Sequence, residues 1–155
     1  MCGISGILNH PDAKSLISKM SQTQSHRGPD ATGFFTEDNN ALGHNRLSII
    51  DLSENGNQPL FSVDKRYVIV FNGEIYNYKE LKEKLNKQDS YVFKTETDTE
   101  VVLASWLVWG ESCLDEFIGM FAFAIWDSLE QKLFAARDRF GVKPFHYSLV
   151  NNTLV

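Results

Sequence analysis

Two hydrophobic runs constrain most strongly what this chain can fold into. Tyr67-Val68-Ile69-Val70-Phe71 and Met120-Phe121-Ala122-Phe123-Ala124-Ile125-Trp126-Asp127 are rich in β-branched and aromatic side chains and read as buried strands. Helical patterns lie between them. Residues 78–87 place Leu81 and Leu85 four apart, on one side of a helix. Thr95-Glu96-Thr97-Asp98-Thr99-Glu100 leads into an apolar run to Trp109, a capped start followed by a largely buried helix, with a shorter helical piece at 111–117. Further strands are expected at 2–8, 31–36, 41–49 and 132–138, the last joined to its predecessor by a turn at 128–131. Another strand is expected to begin near Pro144, and residues 151–155 read as the entry into one more. Asp12 is placed to cap a helix at 13–22 whose apolar side carries Leu16, Ile17 and Met20. Residues 52–66, rich in Ser, Asn, Gly, Pro and charge, read as an exposed loop. Strands, then helices, then strands again is not a regular βαβ alternation. It predicts an α+β architecture of antiparallel sheets covered by helices.

At 155 residues the chain is long enough for one domain with a real core. The net charge is -5 and no basic run occurs, which argues against a nucleic-acid partner. No apolar stretch approaches a membrane span, and the N-terminus lacks a signal-peptide pattern, so a cytoplasmic protein is expected. Cys2 and Cys113 are far apart in sequence, and in a reducing compartment no disulfide is expected. His26, His44 and His146 show no metal-ligand spacing and are assigned structural roles; no metal site is expected. Cys113, among helical apolar residues, reads as an inert buried thiol.

Cys2 is flanked by the small residues Gly3, Ser5 and Gly6. Removal of Met1 would give it a free α-amino group beside its thiol. Such an amine titrates near pH ~8 and a thiol near ~8.5, so the amine can act as general base for its own side chain. The alternative is a small buried strand residue. Asn72-Gly73-Glu74 follows a hydrophobic strand. An Asn amide and a backbone N–H beside glycine can hold the oxyanion formed on a carboxamide, each donor being worth roughly 2.7–4 kcal/mol. Taken alone the pair also reads as a hairpin turn. Arg46 and Asp98 supply a cation and an anion for the two charged ends of a free amino acid; alternatively Arg46 is a surface charge and Asp98 an N-cap.

Several motifs occur together. They are Met1-Cys2-Gly3-Ile4-Ser5-Gly6, His26-Arg27-Gly28-Pro29-Asp30, Gly43-His44-Asn45-Arg46-Leu47-Ser48-Ile49-Ile50-Asp51, Phe71-Asn72-Gly73-Glu74-Ile75-Tyr76-Asn77-Tyr78, Thr97-Asp98-Thr99-Glu100 and Arg137-Asp138-Arg139-Phe140-Gly141-Val142-Lys143-Pro144. In this order they resemble class II glutamine amidotransferases, most of all the glutaminase domain of bacterial-type asparagine synthetases. The resemblance implies the four-layer αββα sandwich of N-terminal nucleophile hydrolases over residues 1–155. It implies Cys2 as nucleophile, with the Asn72 side chain and Gly73 N–H as oxyanion hole. It also implies a glutamine pocket built from Arg46, Leu47, Ser48, Ile49, Ile50, Glu74 and Asp98. Glutamine would be hydrolysed to glutamate and ammonia through a thioester, with no cofactor in this domain. ATP and magnesium would belong to a C-terminal synthetase domain that amidates aspartate and is not found in this chain. The chain is expected to stop before the glutaminase fold is complete. Left open are another ammonia acceptor, such as an amino sugar or a natural product, a non-catalytic binding module, and a homodimer.

Overall fold

The computed structural model describes residues 1–87 and 91–155. In chain order the elements are β1 (Gly3–Ile7), α1 (Ala13–Thr23), β2 (Ala31–Glu37), β3 (Asn40–Arg46), β4 (Leu60–Phe61), β5 (Tyr67–Ile75), α2 (Tyr78–Lys87), α3 (Asp98–Trp109), α4 (Cys113–Glu116), β6 (Gly119–Asp127), β7 (Lys132–Arg137), β8 (Leu149–Val150) and β9 (Thr153–Leu154). They form two main antiparallel sheets, ordered β1-β3-β2 and β4-β5-β6-β7. The β8-β9 hairpin joins the first sheet through an antiparallel bridge between Leu8 and Leu154.

The period of two along β5 and β6 sorts side chains into layers. Val68, Val70, Ala124 and Trp126 face the first sheet and pack with Leu8 and Leu42. Ile69, Phe71, Phe121, Phe123 and Ile125 face the other way and pack against Leu81 and Leu85 of α2 and Val101 to Ala104 of α3. On the far side of the first sheet, α1 buries Ile17 and Ala13 against Ile7 and Ala41. The order of layers is therefore helix, sheet, sheet, helix: the αββα sandwich.

Several sequence expectations are corrected. Position 12 precedes α1, but the Asp12 side chain makes no capping bond; its backbone carbonyl accepts from Ser15 and Leu16 instead. The fully buried face of α1 is Ala13, Ile17 and Ser21, with Leu16 and Met20 only partly covered. The strand expected to reach residue 49 ends at Arg46, because the Ser48 N–H leaves the sheet to bond the Asp30 carboxylate at 2.7 Å. The 52–66 segment is not simply exposed: Gly56, Gln58 and Ser62 are buried and β4 lies within it. No strand begins at Pro144; the next one starts at Leu149. Asn72 and Gly73 are not a hairpin turn, since they continue β5 opposite Ala122 and Phe121. The inert reading of Cys113 agrees with its surroundings, where full burial pushes the thiol up to about 12.

Candidate active site

The candidate residues lie at the start of β1, the end of β3, the second half of β5 and the start of α3. Cys2 is half-buried and lies one residue before Gly3, which pairs with Asn45 of β3. Its Sγ contacts the backbone of Leu47, 3.4 Å from the N–H and 3.7 Å from the carbonyl. Its own carbonyl accepts from Arg27 Nε at 3.1 Å. The loop carrying Arg27 lies flat on β3, and a Cβ at Gly28 would stand 2.2 Å from the Asn45 carbonyl oxygen, so only glycine fits there. Lys143 is buried, and its Nζ lies beside the Met1 thioether. The 138–143 loop is folded around the Asp138 carboxylate, which accepts from the backbone N–H groups of Phe121, Val142 and Lys143 and is held below the usual carboxylate range by them, against an opposing effect of burial.

Arg46, at the end of β3, turns its guanidinium into the 51–57 segment. Nη1 donates to the Ser53 carbonyl at 2.6 Å and to Asn57 Oδ1 at 2.9 Å, and Nη2 donates to the Asp51 carbonyl. Among the described residues, Nε–H and one Nη2–H carry no bond. Leu47 and Ser48 are half-buried, whereas Ile49 and Ile50 are exposed and make no polar contact with Cys2.

Strand β5 supplies the next group. Tyr76 N–H bonds the Ile118 carbonyl at 2.7 Å and Ser128 N–H bonds the Arg66 carbonyl at 2.9 Å, so the even-numbered residues of β5 form the hydrogen-bonded pairs with β6. The odd-numbered residues therefore direct their N–H groups off the opposite edge. There the Phe71 N–H meets Gln58 Oε1 at 2.7 Å and the Ile75 N–H meets Asp98 Oδ2 at 3.0 Å. The Gly73 N–H, between them, is bonded to nothing among the described residues. Its opposite number Phe121 spends both backbone groups on Asp138 instead. Gly73 is glycine for want of room, since a Cβ would stand 2.4 Å from the Met120 carbonyl oxygen. The Asn72 side chain shares a face with Val68 and Val70, toward the sheet that carries Cys2. It is buried, and lines a cavity of about 660 Å³ between the sheets together with Arg27, Ile4 and Val70.

Asp98 is not the N-cap of α3. Thr97 holds that position and accepts the Glu100 N–H through its Oγ1 at 3.2 Å. The Asp98 carboxyl is thereby free to face β5. Burial raises it to about 6, and exposed Glu74 nearby pushes the same way, against the Ile75 and Thr99 N–H groups.

The structure thus brings Cys2 to Leu47, and Asp98 to Ile75 beside Glu74. Among the described residues it leaves the Gly73 N–H open, and Ile49 and Ile50 are exposed. Sequence reading missed Gln58, Lys143 and the anchoring loop of Arg46. Gln58 sat in a segment whose composition resembles any loop, and the contact of Lys143 spans the whole chain. Among the described residues, no group of three or more His, Cys, Asp or Glu could hold a metal ion, and no helix is long and apolar enough to cross a membrane.

A family described as "Glutamine amidotransferase domain" matches residues 1–155. Asparagine synthetase [glutamine-hydrolyzing] 1 of Bacillus subtilis is 47% identical over 98% of this chain and 25% of that protein. A putative asparagine synthetase [glutamine-hydrolyzing] 2 of Methanocaldococcus jannaschii is 43% identical over 100% of this chain and 33% of that protein. Amidase chry2 of Gibberella zeae is 40% identical over 100% of the chain and 25% of that protein. The chain therefore spans a quarter to a third of the length of these relatives. In fold it matches the glutamine phosphoribosylpyrophosphate amidotransferase of B. subtilis with a TM-score of 0.85 over 99% of this chain and 41% of that one, at 21% identity.

Proposed function

Because this chain belongs to the glutamine amidotransferase domain family, we propose that residues 1–155 are a glutaminase domain in which Cys2, freed of Met1, attacks the side-chain carboxamide of glutamine. The observation that carries this is the open Gly73 N–H: among the described residues it has no partner while its neighbours Phe71 and Ile75 do, and it lies next to a buried Asn72 amide facing the sheet of Cys2. In this mechanism the α-amine takes the thiol proton, and the thiolate adds to the carboxamide carbon. Asn72 Nδ2–H and Gly73 N–H hold the oxyanion. The α-ammonium then protonates the leaving nitrogen, ammonia departs, and a γ-glutamyl thioester remains. Water, deprotonated by the same amine, hydrolyses it to glutamate. Arg46 grips the α-carboxylate through its two unused donors, and Asp98 with Glu74 receives the ammonium. Leu47 to Ile50 form the wall of the pocket.

The test is incubation with a glutamine-mimicking diazoketone, read by intact mass and peptide mapping. A single adduct on Cys2 of chains lacking Met1 is expected. Correctly processed, folded protein that takes no adduct and releases no ammonia from glutamine would leave a binding module instead.

The charge state of Asp98 provides a second check. Ammonium binding needs the carboxylate, so the glutamine KM is expected to rise about tenfold from pH 7 to pH 5, through the raised value of about 6. Stability runs the opposite way. A carboxyl raised by folding stabilises in its protonated form, and that contribution is lost as pH rises through about 6. Asp98→Asn is therefore expected to flatten the pH dependence of KM, to weaken glutamine binding at pH 7.5, and to raise the urea midpoint there but not at pH 4. The gain is roughly 1–3 kcal/mol. A KM that titrates as before in Asp98→Asn would remove Asp98 from the pocket.

For the whole protein we propose ammonia transfer to a C-terminal synthetase domain that amidates aspartate with ATP and magnesium in the cytoplasm; the relatives' names, glutamine-hydrolysing asparagine synthetases, support the ammonia source and the product. The fungal amidase at 40% identity supports a different acceptor as the second reading. Asparagine production from aspartate by the full-length protein would decide between them.

A further inference from the structure

Among the described residues, the edge of β5 has no neighbouring strand beyond its short pairing with β4. The pairing of Ser62 with Tyr67 and Leu60 with Ile69 would place residue 58 opposite Phe71. Instead of its backbone, Gln58 offers its side chain there: Oε1 accepts the Phe71 N–H, and Nε2 donates to Thr99 Oγ1 at 3.1 Å. The Phe71 carbonyl is taken by His44 Nε2 at 3.1 Å, reaching across from β3. Both polar groups of the residue before Asn72-Gly73 are thus held by side chains from separate parts of the chain. His44 is 0% exposed, and its Nδ1 has no partner. An apolar residue would fill that space without stranding a polar atom, so the ring is unfavourable as packing and useful as a donor. Burial, and to a lesser degree the Arg46 charge, lower it to about 4, against the bond to Phe71. It therefore stays neutral, with its proton on Nε2, throughout the working range of the enzyme.

We propose that His44 and Gln58 are positioning residues for the oxyanion hole, clamping Phe71 so that the Asn72 amide and Gly73 N–H are held in place before substrate arrives. This rests on the glutaminase reading and deepens it. The clamp acts on transition-state stabilisation and not on substrate binding or on the nucleophile itself.

The experiment compares His44→Phe, which removes the donor, His44→Gln, which keeps an N–H near the Nε2 position, and Gln58→Leu, in Met1-processed protein. Four readouts are taken: kcat and KM for glutamine, inhibition by glutamate γ-semialdehyde, alkylation of Cys2 by iodoacetamide, and amide exchange at residues 71–75. The semialdehyde adds to the thiol and places an oxygen in the hole; iodoacetamide needs only the thiolate. His44→Phe and Gln58→Leu are expected to lower kcat and semialdehyde affinity by similar factors, about 10- to 100-fold. KM should stay within threefold, alkylation should be unchanged, and the Phe71 and Asn72 amides should exchange faster. His44→Gln should restore most of the loss. Wild-type kcat in His44→Phe, or a loss shared equally by kcat, KM and alkylation, would overturn the proposal. If wild-type protein neither hydrolyses glutamine nor binds the semialdehyde, the glutaminase reading itself falls. Faster exchange confined to 71–75 in the variants would then show that the clamp exists without a catalytic purpose.

Discussion

Cys2→Ala protein, processed to expose residue 2, is expected to lose glutamine hydrolysis by on the order of 10⁴-fold or more while still binding glutamine. No other thiol can substitute. Cys113 is fully buried, and its burial holds it protonated. Calorimetric titration with glutamine, run beside an ammonia-release assay, separates the two effects. Retained binding with abolished turnover identifies Cys2 as the nucleophile, whereas residual turnover near the wild-type rate would mean that the chemistry lies elsewhere. A companion chain that keeps Met1 should be equally inactive, because its Cys2 nitrogen is an amide and cannot accept a proton. It should also keep Lys143 against the thioether.

The second large effect is expected at Asn72. Asn72→Ala removes a side-chain donor from a buried position without touching the ladder, which runs through the backbone of Asn72 and Ala122. A kcat lower by about 10²- to 10³-fold with KM little changed is the signature of a group that bonds only the tetrahedral intermediate. Steady-state kinetics on glutamine settle it. A KM that rises as kcat holds would make Asn72 a ground-state contact and leave the Gly73 N–H as sole donor. Gly73 cannot be tested so cleanly, because any side chain there collides with the Met120 carbonyl.

Much of the frame was legible in the sequence because it is written in periodicity. The alternation in β5 and β6 separates Val68 and Val70 from Ile69 and Phe71, and Leu81 with Leu85 marks the inner face of α2. The motifs around Cys2, Asn72 and Asp98 pointed to chemistry, and the fold carries these segments to the same end of the sandwich. What was not legible depends on contacts between distant residues. Gln58 reads as loop until Phe71 is placed beside it. Asp98 reads as a cap until Thr97 takes that position. The unpartnered Nδ1 of His44 and the buried ammonium of Lys143 have no signature in composition, because each is defined by what surrounds it.

The side-chain dressing of the β5 edge also bears on the order in which the protein is made. Cys2 is among the first residues to leave the ribosome, yet β1 gains its partner only when residues 41–45 are available. The donors at 72 and 73 are unpositioned until β6 pairs with them, and Asp98 and Thr99 arrive between those two strands. The bridge that closes the Leu8 end of β1 waits for Leu154. On the glutaminase reading proposed above, an unfinished chain carries its thiol without the groups assigned to act with it.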